Sequence, residues 1–261
     1  MRVILANILA IYRRELQSYF ASPLAYVIAG VFWLLAGVFF VFFLSVITQQ
    51  AANADAQGYP GSIDVPYQLL QSFLGVMSFI ALFILPILSM GLYAEERKRG
   101  TLELLATSPV TNWAVAIAKL LAVLTFFATL VLPLLIYEAI AYSASNPPLS
   151  IPVVLLGHAG LILLAAAVLS LGMFISSLTD STILAAVCTF GLVLLLWIMD
   201  SLARLSGPLG AVFGHLSLLK HYNNLSQGIV DSSSLILFAS YIILGIFLTA
   251  QSVDAFRFQR S

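Results

Sequence analysis

Residues Val65–Glu103 read "VPYQLLQSFLGVMSFIALFILPILSMGLYAEERKRGTLE". The first thirty of these, Val65–Ala94, carry no charge. The next nine carry six charges: Glu95, Glu96, Arg97, Lys98, Arg99 and Glu103. A helix needs about 20 apolar residues to cross a bilayer. A charge-free run that ends so abruptly reads as a membrane span meeting water.

The rest of the chain has the same grain. Of its 261 residues, 61% are hydrophobic and only 8% charged. A soluble domain carries about 25% charged residues, so lipid is the expected solvent for most of this chain. Eleven basic and eleven acidic residues give zero net charge, and nothing in that balance attracts nucleic acid. The single cysteine, Cys188, excludes an intrachain disulfide.

Charge-free windows place six spans, at 24–47, 69–92, 113–142, 153–178, 182–199 and 235–253. The fold class is therefore an all-α polytopic membrane protein, a single transmembrane domain over 1–261. Pro147 and Pro148 mark the turn after the third span, and "SSLTDS" around Asp180 makes a minimal turn after the fourth. In the N-terminal stretch, Arg13, Arg14 and Glu15 interrupt the apolar pattern. No signal peptide is expected there. Ile4, Leu5, Ile8, Leu9, Tyr12, Leu16, Tyr19 and Phe20 recur at helical spacing and predict an interfacial helix over 1–21. With six spans both termini share a side. Nine of the eleven Lys and Arg residues fall on that side, leaving Arg204 and Lys220 on the other. The positive-inside rule makes that side cytoplasmic.

The charged stretch is then the first cytoplasmic loop, over 94–110. Gly100 interrupts a helix. Thr101 can cap a new short one, Glu103 suits its first turns and Pro109 ends it. Leu102, Leu104 and Leu105 put apolar side chains between the charges. A solvated loop that merely fixes topology needs no such order. A short helix with apolar knobs fits a partner's groove. Asn112 and Ser143 are expected to be bystanders.

Between the fifth and sixth spans, 201–234 is too polar to cross and too apolar for a free loop. It predicts short re-entrant or interfacial helices on the outer side. His215 and His221 have no clear role there and are not read as a metal site. Inside the spans Glu138 is the one ionisable candidate, placed near the outer interface by its helical distance from Lys119. Small residues on the first span (Ala29, Gly30, Gly37, beside Phe40) and on the fifth (Ala185, Ala186, Gly191) suggest close helix approach, as a dimer face or pathway.

The loop sequence "EERKRGTLELLATSPVT" resembles the first cytoplasmic loop of ABC-2 type transporter permeases, matching at Glu95, Glu96, Arg97, Gly100, Thr101, Leu102, Glu103, Leu105, Ser108, Pro109 and Val110. The interfacial helix, the six spans and the long segment before the last span agree with that family. His221–Phe238 is similar to permeases of the gliding-motility and copper-maturation (nitrous-oxide reductase assembly) types. The resemblance implies a type V exporter-like fold in the inner or plasma membrane of a bacterium. It implies that the loop forms a coupling helix docked on a separate ABC ATPase, with Glu95, Glu96, Arg97, Arg99, Gly100, Thr101, Leu102, Glu103, Leu105 and Pro109 at the contact. It further implies a second permease, the same chain or a relative, and room for an extracytoplasmic accessory protein. ATP and Mg would be held by the ATPase, with no cofactor bound by this chain. A phosphate-cradling loop needs Gly-x-x-x-x-Gly-Lys-Ser/Thr. The three lysines, Lys98, Lys119 and Lys220, do not follow a glycine, so this chain is expected to be non-catalytic. The alternative is a membrane anchoring or assembly subunit that docks a cytoplasmic partner and transports nothing itself. A secondary carrier would need more intramembrane charge than the sequence offers.

Overall fold

The structure, a computed structural model, describes all residues except 1, 60, 62, 102–109, 144–149, 204–206 and 259–261. The described residues form helices: α1 (Arg2–Ala21), α2 (Pro23–Ala56), α3 (Val65–Ser89), α4 (Gly91–Lys98), α5 (Asn112–Val131), α6 (Leu134–Ser143), α7 (Ile151–Leu178), α8 (Thr182–Leu202), α9 (Pro208–Leu216), α10 (Leu218–Ser226) and α11 (Ser232–Phe258). Six helical segments among them are long and apolar enough to cross a membrane: α2, α3 with α4, α5 with α6, α7, α8 and α11. Their number and order are those predicted from the sequence.

Local chemistry sets most helix starts. The Asp64 carboxylate accepts from the Tyr67 N–H at 3.1 Å. The hydroxyls of Thr111 and Ser181 do the same for Ala114 and Leu184. Each side chain satisfies one of the N–H groups that a first turn leaves without a partner. Pro23 and Pro66 sit in first turns, where a missing N–H costs nothing.

The clearest departures from the expected boundaries are in the first and third spans. The helix of the first span continues past residue 47 to Ala56. The alanines at 51, 52, 54 and 56 favour helix, and no breaker intervenes before Gly58. At about 1.5 Å per residue its 34 residues run roughly 50 Å, well beyond a hydrocarbon core. The third span, expected as one helix over 113–142, is broken between Val131 and Leu134. Pro133 brings no N–H to the ladder and crowds the preceding turn.

The helices α3 and α7 form the centre and α2, α8 and α11 the margin. The core runs through Phe32, Phe40, Phe73, Met77, Tyr93, Phe127, Leu161, Leu164, Val168 and Phe238. On α7 the small residues Ala165, Ala166, Ala167, Ser170 and Gly172 are all buried. They let neighbours come close, the usual way of packing helices in lipid. Gly245 of α11 lies so near that a Cβ there would stand 2.6 Å from the Ser170 carbonyl carbon.

The short helices α9 and α10 cover the bundle end where α3 begins. Tyr222 donates to the Leu74 carbonyl at 2.9 Å, Gln71 to the Ser226 carbonyl, and Ser217 to Asp200 at 2.7 Å. His221 is buried, with its Nδ1 2.8 Å from the Ser234 hydroxyl.

Candidate functional site

The charged stretch lies at the other end of the bundle, where α1, α4 and the start of α5 meet. Its centre is Lys119, on the second turn of α5 and only 2% exposed. The ammonium lies 3.0 Å from Glu96 on α4 and 3.2 Å from Glu15 on α1. Nζ also sits 5.2 Å from the centre of the Tyr93 ring, within cation–π range. Arg14 closes the cluster from outside, 3.3 Å from Glu15 and 3.4 Å from Glu96. Two cations and two carboxylates balance. An ammonium has three N–H donors and no water reaches this one, so the two carboxylates and the ring are what make its burial tolerable.

α1 is fixed across this cluster. Tyr12 donates to Thr125 at 3.1 Å, and the Tyr19 ring stacks on Phe126 at 5.3 Å. Tyr12 and Tyr19 are about 10 Å apart along α1 yet meet neighbouring positions of α5. The N-terminal helix is thereby packed closely along α5. Tyr19 also donates to the Leu88 carbonyl at 2.9 Å, which anchors α1 to the end of α3. Burial, then the charges of Glu15 and Glu95, hold that phenol above its ordinary range, so it stays a donor.

α4 is held from its other side by α7. The chain turns at Met90 between α3 and α4, and the Ser176 hydroxyl fills the break. It accepts from the N–H groups of Tyr93 and Ala94, at 3.1 and 3.0 Å, and donates to the Met90 carbonyl at 2.8 Å. One turn on, Arg97 donates to the Ser177 carbonyl at 3.1 Å, where α7 ends and its last carbonyls need partners. α4 then stops in a Schellman turn. Thr101 N–H bonds to the Glu96 carbonyl at 3.0 Å and Gly100 N–H to the Arg97 carbonyl at 3.1 Å. Gly100 sits at φ +69, a conformation that suits glycine.

The residues singled out for an ATPase contact thus fall into three groups. Glu95, Arg99, Gly100 and Thr101 are exposed, with Glu95 and Arg99 paired one turn apart at 3.4 Å. Glu96 and Arg97 turn inward onto Lys119 and α7, so their charge serves this chain's own packing. Leu102, Glu103, Leu105 and Pro109, with the short helix expected from Thr101 onward, lie outside the described residues.

Of the small residues proposed for a dimer face, Ala29, Phe40 and Ala185 are buried inside this chain. Phe40 meets Phe73 and Tyr137, and Gly37 faces the Tyr137 hydroxyl. Ala186 is half-buried. Gly30 and Gly191 have open space where a Cβ would stand. Around them α2 exposes Val27, Val31, Leu34, Val38 and Val41, α3 exposes Phe79, Phe83 and Ile87, and α8 exposes Ile183, Leu184, Val187, Leu194 and Leu195.

Sequence reasoning missed Glu15, Lys119 and Ser176 as parts of this site. Each looked like an isolated residue of its own helix, and only packing brings them together. Asn112 is buried and donates to Asp254 of α11. Glu138 is not the one ionisable residue inside the spans, because His158 lies beside it.

A family model described as "ABC-2 family transporter protein" matches residues 9–260. No curated protein matches the chain.

Proposed function

The chain belongs to the ABC-2 family of transporter proteins and is a permease subunit with an ABC ATPase as partner, and on that footing we propose that it converts ATP hydrolysis in the partner chain into movement of its own spans. The exposed edge of α4 and the segment that follows it are the docking element. The observation that carries this reading is how α4 is held. Lys119 ties it to α1 and α5, and Ser176 with Arg97 ties it to α7, the central helix. A displacement of α4 therefore reaches α1, α5 and α7 through these contacts. The working unit is two permeases and two ATPases, with the face of α2, α3 and α8 turned to the second permease. Both termini and the charged end are cytoplasmic, in a bacterial inner membrane. Export is the direction the family resemblance favours, and the likeness of His221–Phe238 to permeases of the gliding-motility and copper-maturation types supports a role of that kind.

The test is co-purification with the partner ABC ATPase. Leu102→Ala, Leu105→Ala and Glu103→Lys should leave the permease in the membrane at near-parental amount. Each should weaken ATPase capture and permease-stimulated ATP hydrolysis, since losing one apolar anchor from an interface commonly costs more than about 1 kcal/mol. Equal capture by all three variants would refute docking through this segment. An anchoring subunit would instead capture the ATPase without changing its hydrolysis rate.

A further inference from the structure

Two titratable side chains are buried at the end of the bundle away from the charged cluster, and the coupling described above uses neither. Glu138 stands on α6, just past the Pro133 break, and is 1% exposed. His158 stands on the second turn of α7 and is 5% exposed. Glu138 Oε2 and His158 Nε2 are 3.8 Å apart. Neither Glu138 oxygen, nor that nitrogen, has a hydrogen-bond partner among the described residues.

The other ring nitrogen settles the tautomer. His158 Nδ1 lies 2.9 Å from the Val154 carbonyl. A carbonyl only accepts, so Nδ1 carries hydrogen. In the neutral ring Nε2 is then a bare lone pair. The carboxyl opposite, if ionised, also only accepts. Two acceptors buried face to face are unstable; at 3.8 Å they stand just outside hydrogen-bond reach, and one proton between them would satisfy both once the side chains close by a rotamer adjustment. With no proton the pair is a buried anion. With two it is a buried cation. With one it is neutral overall, whichever atom holds the hydrogen. Burial disfavours net charge. Among the described residues, the other ionisable groups near the pair are phenols and one acid. Tyr142 is one turn along α6 and feels the charges of Glu138 and Asp64, the cap of α3. Tyr222 approaches from α10 and feels Glu138. Tyr137 adjoins Glu138 in sequence and packs toward α2. Phenols are neutral near pH 7, so among these groups His158 is the available counter-charge.

We propose that Glu138 and His158 form a proton-binding site that holds one shared proton between Oε2 and Nε2, and that this proton fastens α6 to α7. The break at Pro133 detaches α6 from the ladder of α5, which leaves the half-helix dependent on such side-chain ties.

The chain has three histidines, so the protein labelled with 15N-histidine in lipid nanodiscs gives three imidazoles. His158→Gln identifies the signal of interest by its loss. At neutral pH the parent should show His158 Nε2 hydrogen-bonded or protonated, and unchanged across the range, about pH 5 to 8, in which a free imidazole titrates. In Glu138→Ala the same nitrogen should become bare while Nδ1 keeps its hydrogen. A bare Nε2 in the parent, or identical spectra in parent and Glu138→Ala, would overturn the site. Should Glu138→Ala fail to fold, Glu138→Gln decides. Its amide can donate to Nε2 but cannot lose a proton at alkaline pH. Deprotonation leaves the pair an anion, so the parent's melting temperature should fall as pH rises through the alkaline transition, and fall more than that of Glu138→Gln. Matching melting profiles at every pH would refute the fastening role.

Discussion

Lys119 shows how much of the charged end depends on one residue. Its ammonium is the shared cation for Glu15 and Glu96, lies against the Tyr93 ring, and is buried. Removing one partner from a buried ion pair is worse than never having built the pair, because the remaining charge stays desolvated. Lys119→Met should therefore destabilise the protein by about 3 kcal/mol or more, read as a lower melting temperature in detergent. Arg14 is too exposed to replace it, with a side chain 71% accessible. Glu15→Gln together with Glu96→Gln in the Lys119→Met background should recover part of the loss, because no uncompensated carboxylate then remains. If the triple variant melts below Lys119→Met, the carboxylates are not what the lysine compensates. Gly100 is the second decisive residue. Its φ of +69 costs an alanine roughly 1 kcal/mol. Gly100→Ala should thus weaken the end of α4 by about that amount without disturbing the spans.

At the scale of elements the informative unit is the junction of α3, α4 and α7. The helix of the second span is continuous in sequence and broken in space. Pro86 removes one N–H, and Ser176 takes over two others that an unbroken helix would use. The Ser176 hydroxyl is fully buried, so Ser176→Ala leaves two amides and one carbonyl without it. An unsatisfied buried group costs about 1–3 kcal/mol. Ser176→Ala should lower stability on that scale, while Ser176→Thr keeps the hydroxyl and should lose less. The distinguishing readout is permease-stimulated ATP hydrolysis, measured at a temperature where the variant is fully folded. If α4 transmits through α7, stimulation falls in Ser176→Ala even there. Unchanged stimulation would leave Ser176 a packing residue only. Nearby, Gly172 lets Ser89 and Thr189 close on α7 from two sides, which is why this junction tolerates no bulk.

For the whole molecule the question is which face another copy or relative would cover. α2 and α8 are among the least buried spans, and α3 lies between them with Phe83 against Phe190 of α8. Lipid can cover such a surface, so exposure alone does not choose. Gly30 and Gly191 add the capacity for close approach, since both are open. Single cysteines at Gly30, Val31, Val187 and Gly191, in a background with Cys188 replaced, should crosslink two permeases in membranes. Ile243 on α11 and Leu121 on α5, also exposed, should not. Crosslinking confined to those last two positions would move the dimer face to the other side of the bundle.

Composition and periodicity alone determined that the chain lives in lipid, that it crosses six times, and that charge gathers at one point. These follow from transfer free energies summed over about 20 residues, which local sequence reports directly. The family was legible in one loop for a similar reason, since Glu95 to Val110 is contiguous. The partners of that loop were not legible. Glu15, Glu96 and Lys119 are separated by 81 and 23 positions, and only folding decides that they share one buried site. Read in order, Glu96 was one of the charges expected at the ATPase contact; in space its carboxylate is a counter-ion of the buried Lys119. Glu138 and His158 are the same case in the opposite half. A helix period says which face a residue occupies, but burial and the 3.8 Å approach of two side chains depend on how α6 bends at Pro133 and where α7 lies beside it. Pairwise electrostatics between distant residues has no signature in local sequence, and it is there that the tertiary structure decided the chemistry.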